Sequence, residues 1–232
     1  WTLPVDTDLN IITVEYYTDA SCTNSTGTIN ALGATAVTNT YTSLADDTYY
    51  YSVKVTDLAG NETATTCSAG LEIDTTAPLA STAMLWTEDP SPHNNLTVNS
   101  SWTKSTSTDL TTQEVNYFTD PTCLTGTGST VTLTLGEETQ AFTGLDGLSY
   151  YYHITSIDHV GNQTVSTCSA AMLLDVTDPA AATSLTWVEV PSPHDDLNIT
   201  ASWTGSVSGD VASQSITFYT NPGCSASVST FP

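Results

Sequence analysis

Carboxylates are the side chains this 232-residue chain supplies most freely for chemistry: 25 Asp and Glu stand against two basic residues, Lys54 and Lys104. Two uses are open to them. Acid–base catalysis needs a pair converging in a cleft, and cation binding needs several oxygen ligands around one point. The segment Asp6-Thr-Asp8-Leu-Asn10 imitates the start of an EF-hand loop. It fails at Ile11, where that loop requires glycine, and at Tyr17, where it requires the bidentate Glu. The histidines His93, His153, His159 and His194 share no metal-ligand spacing with the cysteines. No Gly-x-Ser-x-Gly, His-Glu-x-x-His or phosphate-loop motif occurs, so an enzyme is not expected. A formal net charge of −23 excludes a nucleic-acid binder, because nothing neutralises phosphate. It equally excludes electrostatic docking to an anionic membrane. No run approaches the ~18 apolar residues of a membrane-spanning helix.

What must position these groups is a repeat. Trp1, Trp102 and Trp203 are each 101 residues apart, as are Cys22, Cys123 and Cys224. Cys67 and Cys168, Trp86 and Trp187, and the turns Ser91-Pro-His93 and Ser192-Pro-His194 keep the same offset. Asp57-Leu-Ala-Gly-Asn61 returns as Asp158-His-Val-Gly-Asn162. A period of this length is one β-sandwich domain, too long for ankyrin or leucine-rich units. Proline-ended polar linkers, Asp74–Pro78 and Asp175–Pro179, mark the boundaries. The expected organisation is a repeat lacking its N-terminal part over 1–77, a complete repeat over 78–178, and a repeat lacking its C-terminal part over 179–232. The chain is accordingly read as an excerpt of a longer array.

Alternation defines the strands of the complete repeat. Leu96, Val98, Ser100 and Trp102 share a face, as do Val115 and Tyr117, and Val131, Leu133 and Leu135. Tyr150, Tyr152 and Ile154 form the next set, and a Gly-Asn turn leads into a last strand through Cys168 to Leu174. Threonine and serine fill 72 of 232 positions, which with the aromatics favours strands over helices. The cysteines in each pair, Cys22 with Cys67 and Cys123 with Cys168, lie 45 residues apart. A disulfide within each repeat is the expected reading, with buried thiols as the alternative. Cys224 has no counterpart at that spacing inside the chain.

Gly144-Leu145, Tyr150-Tyr-Tyr152 and Asp158-x-x-Gly-Asn162 resemble the region around the last two strands of fibronectin type III and bacterial Ig-like domains. The linker Asp74-Thr-Thr-Ala-Pro78 resembles the junctions of tandem repeats in giant bacterial surface adhesins. The resemblance implies an all-β fold of tandem seven-stranded Ig-like or fibronectin type III-like sandwiches in a linear array. It also implies an extracellular or cell-surface address and, in several members, calcium near the junctions. A tyrosine corner is expected at Tyr49 and Tyr150 by alternation, or at Tyr50 and Tyr151 by distance from Leu44 and Leu145.

In such a topology three carboxylates meet where a linker enters the next repeat: Asp74, Asp109 and Asp158. The following junction would use Asp175 and Asp210, and the first Asp8 and Asp57. A hard cation, calcium, would relieve their repulsion. The alternative is that Asp158 and Asp74 only cap their own turns. The functional expectation is a stalk or filament whose partners are neighbouring repeats, without membrane insertion in this segment. The rival readings are a fibre subunit completed by strands from another chain, and a glycan-binding module using Trp86 and Trp187.

Overall fold

The computed structural model describes every residue except Asp89, Pro90, Val190, Pro191, His194, Asp196 and Pro232, and the side chain of Phe231. The expected histidine turn at His194 therefore lies outside the described residues. The described structure is all β, as the Thr-, Val- and Tyr-rich composition dictates. Strands β1 (Leu9–Tyr17), β2 (Ser25–Gly33), β3 (Asp47–Asp57), β4 (Glu62–Ala64) and β5 (Leu71–Ile73) form the first repeat. They make one antiparallel sheet in the order β2-β1-β3-β4, with β5 also on β3.

The next repeat contains β6 (Thr82–Trp86), β7 (Thr97–Thr103), β8 (Leu110–Phe118), β9 (Gly126–Leu133), β10 (Thr139–Thr143), β11 (Leu148–Asp158), β12 (Gln163–Val165) and β13 (Met172–Leu174). One sheet runs β10-β7-β6 and the other β12-β11-β8-β9, with β13 also on β11. That is a β-sandwich in which β12 and β13 share the role of the seventh strand. The last repeat has β14 (Thr183–Trp187) on β15 (Ala201–Thr204), and β16 (Ile216–Tyr219) on β17 (Ser227–Phe231).

Packing divides the chain into two compact units: Trp1–Leu85 with Ser100–Gln140 and Tyr151–Ala170, and Trp86–Asn99 with Ala141–Tyr150 and Ala171–Pro232. In the first unit, Ile12, Val14, Tyr16 and Val53 make one buried cluster, flanked by Trp1, Leu32 and Tyr41. Trp102, Val115, Tyr117, Tyr152 and Ile154 are buried in the same unit, at the alternate positions read from the sequence. The pairs Tyr117↔Tyr152 and Val115↔Ile154 face each other across β8 and β11, cross-strand neighbours of the kind that stabilise a sheet.

Buried tyrosines need partners for their hydroxyls. The Tyr152 hydroxyl donates to Leu85 O at 2.8 Å and sits 2.5 Å from Ser101 O, so β11 is tied across the sandwich. Tyr117 Oη lies 2.9 Å from Ser100 Oγ. Burial pushes the Tyr117 phenol up to about 12, against the opposing bond from Ser100. In the second unit Val98, Phe142, Tyr150, Met172 and Leu174 are buried.

Two strand expectations are corrected. The set Val131, Leu133, Leu135 ends at Leu133, because Glu137 turns the chain: its carboxylate accepts Thr134 N at 2.8 Å and its amide donates to Thr134 O at 3.0 Å. Leu135 is left exposed. The last strand is not continuous to Leu174. Between β12 and β13, hydroxyls replace backbone groups: Ser166 Oγ accepts Ile154 N (2.9 Å) and Ser169 Oγ accepts Tyr152 N (3.0 Å). Thr65 and Ser68 do the same for Val53 and Tyr51 in the preceding repeat. The interruption falls at the cysteine of each pair.

Candidate functional site

The linker Asp74–Pro78 leaves β5 at Ile73, and polar groups from both flanking repeats hold it. On one side the Asp46 carboxylate accepts Thr75 N at 3.0 Å, Thr75 Oγ1 at 2.7 Å and Thr76 Oγ1 at 2.5 Å. Those threonine hydroxyls hold the Asp46 carboxyl below the ordinary aspartate range. On the other side Ser107 Oγ accepts Leu79 N at 2.8 Å, and Asn162 Nδ2 donates to Asp74 O at 3.2 Å. Asp74 itself accepts Thr76 N at 3.0 Å.

The linker at 175–179 repeats this set. Asp146 accepts Val176 N at 2.9 Å and Thr177 Oγ1 at 2.6 Å, and its carboxyl is lowered by Thr177 first. Ser208 Oγ accepts Ala180 N at 2.8 Å, and Asp175 accepts Thr177 N at 3.1 Å. Asp46 and Asp146 are 100 residues apart, one short of the period, so the repeat does not align them. The available signal was an acidic residue in the turn before each Tyr-rich strand.

The expected ion-binding carboxylates are brought together in part. Asp74 and Asp109, both half-buried, converge with His159, each offering one ligand atom within 4.8 Å of the others. His159 Nδ1 lies 4.0 Å from Asp74 Oδ2, and His159 Nε2 lies 3.3 Å from Glu72 Oε2. Asp158 is adjacent in sequence but turned inward, with 2% of its surface exposed. Burial alone would raise its pKa. Donation from Asn162 Nδ2 (2.8 Å) and from the amides of Gly161, Asn162 and Val160 (2.7–2.9 Å) outweighs burial and holds the carboxyl below its ordinary value. All these donors come from the turn it closes.

Asp57 does the same in its repeat, accepting Asn61 N at 2.8 Å and Asn61 Nδ2 at 2.7 Å. Asp8 is crowded by Asp6, then by Asp57, and its pKa is raised. Asp210 is exposed, and Asp175 accepts Thr177 N in its linker turn as Asp74 accepts Thr76 N. Calcium takes oxygen ligands, whereas the gathered set is two carboxylates and an imidazole. Asp158 is committed to its turn, so Asp74 and Asp109 are the carboxylates of the expected set that converge here, with Glu72 beside His159.

The cysteines sit where a tight turn presents them. Asp19 accepts the amides of Ser21, Thr23 and Asn24, and Asp120 those of Thr122, Leu124 and Thr125. The turn places Cys22 and Cys123 in the left-handed region, at φ 51° and 54°. Cys22 is bonded to Cys67 and Cys123 to Cys168, with Cα–Cα distances of 5.6 and 5.9 Å. Cys224, in a matching turn closed by Asn221, is a free and exposed thiol.

The tyrosine corner falls at Tyr49 and Tyr150: Tyr150 Oη accepts Leu145 N at 2.8 Å, and Tyr49 Oη donates to Ala45 O at 3.1 Å. His153 packs on Phe118 at 4.7 Å, and burial lowers its pKa. His93 serves through its backbone, donating to Leu173 O and accepting from Asp175 N.

No protein-family model matches the chain, and no curated protein does. Among solved structures, it is similar to the chicken CNTN1 FN1-FN3 domains at 11% identity and a TM-score of 0.40. The similarity covers 70% of this chain and 55% of that structure's length.

Proposed function

We propose that this chain is a segment of an extracellular stalk or filament, built from 101-residue β-sandwich repeats of which residues 78–178 are one, of the kind that extends a bacterial surface adhesin. One observation carries the reading: the same hydrogen bonds fasten both linkers, with Asp46 and Ser107 at the first and Asp146 and Ser208 at the second. A linker pinned from both ends has few free dihedrals and transmits orientation from repeat to repeat. Disulfides agree with an oxidising, extracellular compartment. The net charge of −23 keeps neighbouring chains apart and soluble. With Lys54 and Lys104 the only basic residues, trypsin-like proteases find two sites at most.

The test is solution scattering of the chain against the double variant Asp46→Ala/Ser107→Ala. Asp46 is exposed and Ser107 half-buried, and neither belongs to a buried core, so the repeats should keep their circular dichroism. The variant is expected to show a broader distance distribution and shorter maximum dimension than the parent. Identical curves would remove the support for a stiff joint and, with it, the stalk reading.

A further inference from the structure

The central strands of the first two repeats carry nearly the same cross-strand pairs. In the first, β1 and β3 set Leu9 opposite Asp57, Val14 opposite Val53 and Tyr16 opposite Tyr51. In the second, β8 and β11 set Leu110 opposite Asp158, Val115 opposite Ile154 and Tyr117 opposite Tyr152. One rung breaks the match. Ile12 stands opposite Val55, whereas one period on Gln113 stands opposite Ser156. Ile12 is fully buried, and Val55 packs against its cluster. Gln113 and Ser156 are fully buried as well.

Ser81, just before β6, completes the polar rung. Its hydroxyl donates to Gln113 Oε1 at 3.0 Å and lies 3.2 Å from Ser156 Oγ. Gln113 Nε2 has no partner among the described residues. Apolar side chains of similar shape serve about as well as a buried hydrogen-bonded set, and the first repeat fills the same rung with isoleucine and valine. Stability therefore does not account for the polar choice. Partner selection does. Equivalent strands of tandem repeats can pair across repeats, a characteristic failure of such arrays. The Val and Tyr rungs do not distinguish β1 from β8. With β8 laid on β3, Gln113 would face Val55. With β1 laid on β11, Ser156 would face Ile12. Either exchange takes a buried polar group from its partner, which penalises the wrong pairing more than the right one.

We infer that Ser81, Gln113 and Ser156 form a recognition rung that commits β8 to β11 and keeps both from the strands of the preceding repeat. The role does not depend on the stalk reading, since any tandem array must sort its strands. The cysteines record the outcome. Cys22 follows β1 and Cys123 follows β8 in matching turns. Pairing β1 with β11 would thus bring Cys22 to Cys168, and pairing β8 with β3 would bring Cys123 to Cys67.

The experiment reoxidises the reduced, unfolded full chain at low concentration in a glutathione buffer, with Cys224→Ala to remove the free thiol. Mass spectrometry counts the mixed crosslinks Cys22–Cys168 and Cys67–Cys123 against the native pairs. The test variant is Ser81→Ala/Gln113→Ile/Ser156→Val, which installs the residues found one period away at Ala182, Ile12 and Val55. Its mixed fraction is expected to rise about tenfold over the parent, as relief of one buried unpaired polar group allows, while its melting temperature stays at or above the parent's. Gln113→Ile alone should move the fraction in the same direction, so the test stands if the triple variant does not refold. Val115→Ala removes packing but leaves the polar difference, and should stay at the parent's fraction. No rise in either rung variant overturns the proposal. An equal rise with Val115→Ala does so too, because lost stability alone would then explain the mixing.

Discussion

Asp120 closes the turn that carries Cys123, and Thr122 Oγ1 and the amide of Thr125 lower its pKa to about 2 from 3.8. A depressed folded-state pKa means the carboxylate stabilises the fold above the unfolded value, and that stabilisation is lost as protons return. The window is therefore pH 3.8 down to about 2. The melting temperature of the parent should fall across it, while Asp120→Ala should start lower and fall less. Parallel melting curves of the two proteins would show that the turn draws nothing from the charge. Gly144 illustrates a second residue-scale constraint. A Cβ there would stand 2.4 Å from Tyr150 Cε2 and 2.7 Å from Leu174 Cδ1. Gly144→Ala should destabilise by about 1–3 kcal/mol through overpacking of the tyrosine corner, measurable by urea unfolding. A neutral result would mean that the ring and Leu174 move aside freely.

At the scale of elements, the jog between β12 and β13 matters more than either strand. Ser166 and Ser169 satisfy β11 amides with their side chains, so the backbone between them departs from the ladder while Cys168 bonds Cys123. Closing a loop of 45 residues constrains the unfolded chain, and the chain-entropy estimate for it is about 4 kcal/mol. The double variant Cys123→Ala/Cys168→Ala is expected to lose much of that in denaturant midpoint, with little change in β content by circular dichroism. If the midpoint does not move, the disulfide only records a proximity the sheet already enforces.

For the molecule as a whole, the acidic surface and the joints raise one question, whether a divalent ion is needed to hold like charges together. Hydrogen bonds already engage most of the carboxylates at the linkers: Asp46, Asp146, Asp158 and Asp175 each accept from nearby amides or hydroxyls. Asp74 accepts Thr76 N as well, and it meets Asp109 and His159 in a mixed donor set. Exhaustive chelation should therefore leave the melting temperature and the scattering profile unchanged, and millimolar calcium should not stiffen the chain. A rise in melting temperature with calcium would restore an ion to the joint through mass action on the folded state.

The 101-residue period, the alternating Val, Tyr and Ile positions and the 45-residue cysteine spacing were all readable along the chain. They express local rules: side chains alternate along a strand, and a repeated core demands repeated residues. The all-β sandwich and the inward faces of β8 and β11 follow from them, whereas the chain offers both Tyr150 and Tyr151 for the tyrosine corner and only the fold selects Tyr150. What the sequence could not decide were directions and competitions among neighbours. Asp158 and His159 are adjacent, and only the folded turn shows that the amides of its own loop claim the carboxylate while the imidazole meets Asp74. Asp46 and Asp146 break the period by one residue, and only the path of the linker reveals that they do the same work. A strand's period is written in its own residues. The partner of a carboxylate is set by whichever donor the tertiary structure brings nearest.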